Sequence, residues 1–278
     1  MKKIVAAFDG LRFSESTLQY AIFLARQYNA QVTGVFLHEA TRIGYALYET
    51  IERQSVSGGN IFAEIDKSDA LTINKSIGIF EAACLEANLS YTVHHDRKNA
   101  VKELIHETVY ADLLVLDAGE TFSYIEMNLP GWFIKNILHE AHCPVIIVPK
   151  KFNPIKKIVL LYDGKPSSVH AIKMLNYILP EMNGLPIELL CAKHDTASLH
   201  LPDNKLLKEW MKVHYPGIVY KVIKGDEKEL VGMLSIEDPG TLVVTGAYHR
   251  SNLSMWLHPS LADFLVRETK APVFISHA

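Results

Sequence analysis

The sequence has few cysteines and no paired arrangement of them. Cys84, Cys143 and Cys191 are isolated from one another in a chain of 278 residues, and no CxxC motif occurs. An odd, low count of this kind is typical of a reducing compartment, so we expect a cytoplasmic protein. All three cysteines are interpreted as small buried apolar residues.

Long apolar runs and charge of one sign are also missing. The longest apolar runs, such as Leu113 to Leu116 and Val145 to Val148, have the length of a strand and are far too short to span a membrane. At the N-terminus an acid already follows at Asp9, too early for a secretory apolar region. The net charge is −3. These absences predict neither a membrane nor a nucleic acid as partner.

One short segment occurs twice. Lys2 to Gly10 (KKIVAAFDG) returns as Lys156 to Gly164 (KKIVLLYDG), with six of nine positions identical. Each copy is an apolar run that ends in an acid and a glycine, as in a buried parallel strand with a carboxylate at its C-terminal edge. A repeat at this spacing indicates a duplicated domain.

Strand and helix patterns alternate after each copy. Ser14 is a plausible N-cap for a first helix over about 15–28. Five strand patterns alternating with helices, twice, predict an α/β protein with two doubly wound, five-stranded parallel sheets and helices on both faces. The further predicted segments are strands over 31–38, 90–94, 111–116, 144–149, 186–191, 218–223, 241–245 and 272–276, and helices over 71–88, 100–110, 132–140, 167–179, 205–213 and 260–269.

The first half is longer than the second. Asp9 precedes Asp163 by 154 residues, whereas Pro144 precedes Pro272 by 128, so the first half carries 26 extra residues between these landmarks. The extra chain is expected within about 40–70, where 55–60 (SVSGGN) has the composition of a loop. We therefore predict domains over 1–150 and 151–278.

Residues that follow strands 1 and 4 are the candidates for binding. In an open parallel sheet, ligands bind beyond the strand ends where the strand order reverses. A helix N-terminus follows each strand-4 loop and can hold a phosphate with its free N–H groups. The residues in these places are Asp9, Asp163, the segment Asp117-Ala118-Gly119, the segment Gly246 to Arg250, Gly131 and Ser260.

These segments together resemble a tandem universal stress protein over nearly the whole chain. The markers are the strand-1 Asp-Gly, GDEKEL before a helix, ADLLVL and TLVVTG as strand 4, and HCPVIIV and APVFI as strand 5. The resemblance implies a HUP or Rossmann-like fold, pairing of domain 1 with domain 2 through strand 5 as an internal pseudo-dimer, and, in many members, ATP binding. It also implies that the strand-1 aspartate holds the nucleoside.

The family's ATP motif is incomplete in both halves. That motif has Gly, two residues, Gly, nine residues and Gly-Ser or Gly-Thr, because glycines let the loop backbone approach phosphates. The first-half positions are Ala118, Thr121, Gly131 and Trp132. The second-half positions are Gly246, His249, Pro259 and Ser260. One glycine of three is present in each half, and Trp132 in place of the hydroxyl predicts that the first site is closed or reshaped.

Side chains in the second-half loop offer a different way to bind an anion. His249 and Arg250 supply a titratable group and a permanent cation where the family uses backbone. The candidate nucleotide-binding residues are Asp163, Gly246, His249, Arg250, Ser260, Asp9 and Gly131. For each aspartate the alternative is local, since an acid at a strand-to-helix turn often accepts a hydrogen bond from the backbone that follows.

Three functions remain open from the sequence. The first is a stress-response binding and regulatory module without ATP binding in at least one half. The second is an ATP, ADP or AMP binder using the second half, with slow hydrolysis as an extension. The third is a scaffold whose insertion, with Tyr45, Tyr48 and Phe62, binds a protein partner or an apolar ligand, with a flap over the first-half pocket as the alternative.

Neither a catalytic nor a metal site is predicted. No P-loop, GxGxxG or GxSxG motif follows a strand, and His249 is a candidate base by position only. An enzyme is therefore not expected, and no cofactor is assigned beyond the adenine nucleotide of the second hypothesis. His94-His95-Asp96 is interpreted as a solvated strand end, because neighbours in a strand point to opposite faces.

Overall fold

The computed structural model describes residues 1–38, 59–96, 99–119, 131–193, 200–234, 238–246 and 261–277. Ten strands lie in these ranges. They are β1 (Lys3–Asp9), β2 (Gln31–Leu37), β3 (Tyr91–Asp96), β4 (Leu113–Asp117), β5 (Val145–Val148), β6 (Lys157–Leu161), β7 (Ile187–Lys193), β8 (Val219–Lys224), β9 (Thr241–Gly246) and β10 (Val273–Ser276).

Eight α-helices and one short 3-10 helix, Pro180–Gly184, lie in the same described ranges. The α-helices are α1 (Glu15–Tyr28), α2 (Gly59–Glu86), α3 (Ala100–Val109), α4 (Trp132–Glu140), α5 (Pro166–Ile178), α6 (Asn204–His214), α7 (Glu227–Leu234) and α8 (Leu261–Glu268).

The strands form one sheet with the order β3-β2-β1-β4-β5-β10-β9-β6-β7-β8. All pairs within each half are parallel, whereas β5 and β10 pair antiparallel with Val145 opposite Ile275. The α/β fold class predicted from the sequence is therefore confirmed. The strand order reverses between β1 and β4 in the first half and between β6 and β9 in the second, and these are the two switch points.

Helices cover both faces of the sheet because successive strand residues point to opposite sides. Along β1, Ile4, Ala6 and Phe8 pack in one apolar core, and Val5 and Ala7 pack in the other. The first core lies under α1, α2, α5 and α6, and the second under α3, α4, α7 and α8. The strands of both halves contribute to both cores, so burial of apolar area stabilises the sheet from two sides.

The segment between β5 and β6 packs back on α1. The ring of Phe152 meets that of Tyr20 edge-on at 4.7 Å, and the Tyr20 hydroxyl accepts a hydrogen bond from the Asn153 N–H at 3.2 Å. This packing places β6 two strands away from β10 rather than beside β5. The domain boundary at 150 stays a prediction.

Two predicted segments differ from the structure. The loop composition of 55–60 and the helix start at 71 are both wrong where they can be compared, because α2 already begins at Gly59. Glycine is accepted at a helix start, so Gly59 and Asn60, the last two residues of the predicted loop, lie in the first turn of a helix. The other difference is that β6 ends at Leu161, two residues before the predicted Asp163. Residues 39–58, which carry Tyr45 and Tyr48, lie outside the described ranges.

None of the described helices is long and apolar enough to cross a membrane.

Candidate functional site

The repeated aspartate makes the same local turn in both halves. In the first half the Leu11 N–H donates to Asp9 Oδ1 at 3.0 Å, and in the second the Lys165 N–H donates to Asp163 Oδ1 at 2.9 Å. Each carboxylate therefore fixes the backbone two residues onward, where the chain turns from strand to helix. This hydrogen bond is the local role that the sequence predicts as the alternative to nucleotide contact. It uses only one oxygen of each carboxylate.

The two aspartates differ in their exposure to solvent. Asp9 is buried, with 2% of its surface exposed, whereas the side chain of Asp163 is 47% exposed. Asp163 Oδ2 also pairs with Lys165 Nζ at 3.0 Å. Partial burial alone would raise the pKa of Asp163, but the Lys165 N–H, the Ser168 hydroxyl and the Lys165 ammonium outweigh it and lower the pKa. A ligand can reach this carboxylate, in its charged form, without moving the core.

A second carboxylate occupies the first-half switch point. Asp117 ends β4, next to β1, and is 8% exposed. The Ser14 hydroxyl donates to Asp117 Oδ2 at 2.9 Å, and the Gly119 N–H donates to Asp117 Oδ1 at 2.7 Å. Because Ser14 is also the N-cap of α1, this carboxylate holds the start of α1 against the end of β4. Two buried acids, Asp9 and Asp117, thus end adjacent strands.

Helix α2 covers the first-half turn. A Cβ atom on Gly10 would lie 2.9 Å from Ile73 Cγ1, and the Ser76 hydroxyl donates to the Gly10 carbonyl at 3.1 Å. His38, which follows β2, is 3% exposed and has Nε2 3.9 Å from Asp69 Oδ2. One helix therefore contacts the ends of both β1 and β2.

In the second half, the start of α5 lies directly on Gly246. A Cβ atom at this position would lie 2.8 Å from the Ser168 nitrogen and still closer to the Ser167 carbonyl. Glycine is required here because the helix backbone comes so near the end of β9. Gly246 therefore has a packing role in the fold, and its contact with a nucleotide stays a prediction.

The glycine after Asp163 is also enclosed. Gly164 has φ +84°, and a Cβ atom on it would lie 2.6 Å from Pro202 Cβ. The Tyr162 hydroxyl donates to the Pro202 carbonyl at 3.0 Å and fixes this contact. The segment before α6 thus bounds the turn that carries Asp163.

The structure separates the remaining predicted residues into two groups. Gly131 is buried at the N-cap of α4 without a side-chain cap, and Trp132 begins that helix with 52% of its surface exposed. The indole does not pack into the core, and closure or reshaping of the first site by Trp132 stays a prediction. The candidates beyond the described ranges are Thr121, His249, Arg250, Pro259 and Ser260.

Some residues of these sites were not singled out from the sequence. The sequence predicts Ser14 only as a helix cap and Asp117 only as an acid at the end of a strand, and it shows no contact between them. His94 Nδ1 lies 2.6 Å from Glu107 Oε1, a pairing that sequence spacing does not show. Among the described residues, no group of three or more His, Cys, Asp or Glu side chains could hold a metal ion.

Comparison with known proteins agrees with this architecture. The model of the universal stress protein family matches residues 1–149. Universal stress protein Slr1230 of Synechocystis sp. is 21% identical over 295 residues, covering 98% of this chain and 99% of the relative.

Solved structures show the same fold over the whole chain. A universal stress protein from Archaeoglobus fulgidus superposes with a TM-score of 0.70 at 13% identity, covering 99% of this chain and 98% of its own. A functionally unknown protein, PA1789 from Pseudomonas aeruginosa, superposes with a TM-score of 0.64 at 12% identity, covering 100% and 92%. The chain belongs to the universal stress protein family, in its tandem form.

Proposed function

We propose that this protein is a stress-response binding and regulatory module whose first half has lost nucleotide binding. The observation that carries the proposal is the contrast between the two copies of one turn. Asp9 is buried under α2, and Asp163 is open to solvent. Since both copies keep the same backbone hydrogen bond, the difference arises from what lies around each turn.

Electrostatics argue against phosphate binding in the first half. Asp9 and Asp117 end adjacent strands, and both are buried. Like charges repel more strongly where water is excluded, so a phosphate placed beside them would be destabilised. Ile73 and Ser76 also pack against Gly10, so α2 leaves less room for a ligand beside the turn that carries Asp9.

The exposed Asp163 favours a second candidate function, adenine-nucleotide binding by the second half. Its carboxylate keeps one oxygen in an ion pair with the exposed Lys165, whose side chain can turn toward a ligand. In this proposal Asp163 binds the nucleoside, and Ser260, His249 and Arg250 bind the phosphates. ATP, ADP and AMP are the ligands to test, and hydrolysis is tested only where binding is found.

Two further features belong to the proposal. We infer a cytoplasmic location from three free, buried cysteines, which suit a reducing compartment. We also infer that the two halves work as one internal pair, since β5 and β10 join them across the middle of the sheet.

The test begins with the purified protein as isolated. Small molecules released on denaturation are identified by mass spectrometry, and ATP, ADP and AMP are then titrated while the melting temperature is followed. A nucleotide at 100 times its dissociation constant stabilises the folded state by about 2.7 kcal/mol, which is easily measured. Equilibrium dialysis gives the stoichiometry, and at most one nucleotide per chain is expected.

Matched variants assign any binding to one half. Asp163→Ala and Ser260→Ala should abolish the nucleotide-induced rise, whereas Asp9→Ala, the same change in the other copy, should keep it. Each shift is measured against the same variant without ligand. Two nucleotides per chain, or a rise abolished by Asp9→Ala alone, would refute the closed first half. No rise for the wild type would remove the nucleotide hypothesis and leave the regulatory module.

A further inference from the structure

Helix α2 has apolar residues on two opposite faces. One face, with Ile73, Phe80 and Cys84, is buried against the sheet. On the opposite face Leu71 and Leu85 are 64% and 66% exposed. Large aliphatic residues exposed on one stripe of a long helix are typical of an interaction surface.

The spacing of the exposed stripe is symmetric about a glycine. Leu71 and Leu85 lie seven residues before and after Gly78, so all three follow nearly one line along the helix. No atom lies within 4 Å of the place where a Cβ atom on Gly78 would be. The stripe is therefore about 21 Å long, with an open hollow at its centre and a leucine at each end.

We propose that this stripe, defined by Leu71, Gly78 and Leu85, is the contact surface for a second copy of this chain. Two α2 helices that cross antiparallel about a two-fold axis at Gly78 place Leu71 of each copy beside Leu85 of the other. A self-complementary patch of this kind is what a two-fold dimer requires. Glycine at the centre lets the two backbones approach closely.

Charges beside the stripe fit the same arrangement. Lys75 and Glu86 are both exposed and, eleven residues apart, lie on the same flank of α2. In an antiparallel pair related by a two-fold axis, this flank faces its own copy, so Lys75 of one chain comes within reach of Glu86 of the other. The pair occurs twice in the dimer. Mixed charges around aliphatic residues fit a protein surface better than a membrane.

The size of the stripe predicts a weak, concentration-dependent dimer. A contact about 21 Å long and about 10 Å wide, the width of one helix, covers roughly 200 Å² per partner, which is well below the roughly 800 Å² of a standard interface. Association is therefore expected in the range of about 10 μM to about 1 mM. This pairing leaves β5 and β10 in place, because it uses the outer face of a helix on the first half.

Sedimentation equilibrium of the full chain tests the proposal. The weight-average mass of the wild type should rise from one chain toward two across the concentration range. Gly78→Glu should stay at the mass of one chain throughout, because it places two carboxylates at the axis. The matched control Gly232→Glu makes the same change at another exposed helix glycine with open space, and it should associate like the wild type.

A charge reversal tests the orientation of the pair. Lys75→Glu should weaken association at least tenfold, and the double variant Lys75→Glu/Glu86→Lys should restore it. Circular dichroism confirms that each variant is folded. A wild type that remains a single chain at every concentration, a Gly78→Glu variant that associates normally, or a double variant that is not restored would each overturn the proposal.

Discussion

Replacing Gly246 by alanine tests whether this glycine is required for packing or only for a ligand. The added methyl group would meet the backbone of Ser167 and Ser168, with the Ser168 nitrogen only 2.8 Å away. Backbone atoms cannot rotate out of the way as a side-chain end can. The first turn of α5 would have to move by roughly 1 Å from a close-packed sheet.

The size of the effect follows from this displacement. Overpacking a well-packed site costs about 1–3 kcal/mol, and a contact with backbone belongs in the upper half of that range. We therefore expect Gly246→Ala to lose at least about 2 kcal/mol of the free energy of unfolding. For a chain of this size the melting temperature should then fall by about 4–8 °C.

The assay is thermal and urea unfolding without any nucleotide, with Gly232→Ala as the matched control. Gly232 is an exposed residue of α7 with nothing within 4 Å of its missing Cβ atom, so the same change should stabilise by about 0.5–1 kcal/mol. The two variants are thus expected to shift in opposite directions. A Gly246→Ala variant as stable as the wild type would refute the packing argument. If that variant also lost a nucleotide-induced rise, Gly246 would be a ligand residue.

Further predictions concern the two repeated aspartates, the ion-paired Glu188 and the three buried cysteines. Asp9→Ala should lower the free energy of unfolding in urea by about 1–3 kcal/mol, because it leaves the Leu11 N–H without its buried acceptor. Asp163→Ala should lower it by less, because Asp163 is exposed. Equal losses of stability would contradict the argument from burial. The carboxylate of Glu188 lies between two lysines, with Oε2 3.2 Å from Lys157 Nζ and Oε1 2.9 Å from Lys221 Nζ. Partial burial alone would raise the pKa of Glu188, but the two lysines outweigh it and lower the pKa. Because the folded-state pKa is lowered, the ionised Glu188 stabilises the fold above the ordinary pKa of 4.5, and this stabilisation is lost as the pH falls below that value. Glu188→Gln should therefore be less stable than the wild type at pH 7, and the difference in the free energy of unfolding should disappear on acidification. A difference that is constant with pH would contradict this prediction. Burial raises the pKa of Cys84 to about 11 and that of Cys143 to about 12, and it also raises the pKa of Cys191. A thiol reagent at pH 8 should therefore label the three cysteines only when the protein unfolds. One thiol that reacts fast in the native protein would contradict this prediction.

Local signals in the sequence were sufficient for most elements. The bounds of α1 and α4 agree with the predictions, because a capping serine or a glycine precedes each helix and its apolar residues recur at helical spacing. The repeated strand that ends in an aspartate was sufficient to predict where both switch points of the sheet lie. The turn made by Asp9 and Asp163 could also be predicted, since it depends only on residues two positions away.

Contacts between distant segments could not be predicted. The hydrogen bond from Ser14 to Asp117 joins residues 103 positions apart, and the contact of Ile73 with Gly10 depends on how far α2 extends. The loop composition before Gly59 concealed the first turns of that helix. These long-range contacts determine which copy of the turn is buried, and periodicity carries no information about them.

The longer first half links these observations. The long helix α2, which begins at Gly59, brings Asp69, Ile73 and Ser76 to the ends of β1 and β2. The same helix then presents Leu71 and Leu85 on its outer face. In the second half, α6 is only 11 residues long and Asp163 stays exposed. One lengthened helix therefore accounts for both the covered turn of the first half and the surface proposed for a second copy, and the second half keeps the accessible carboxylate.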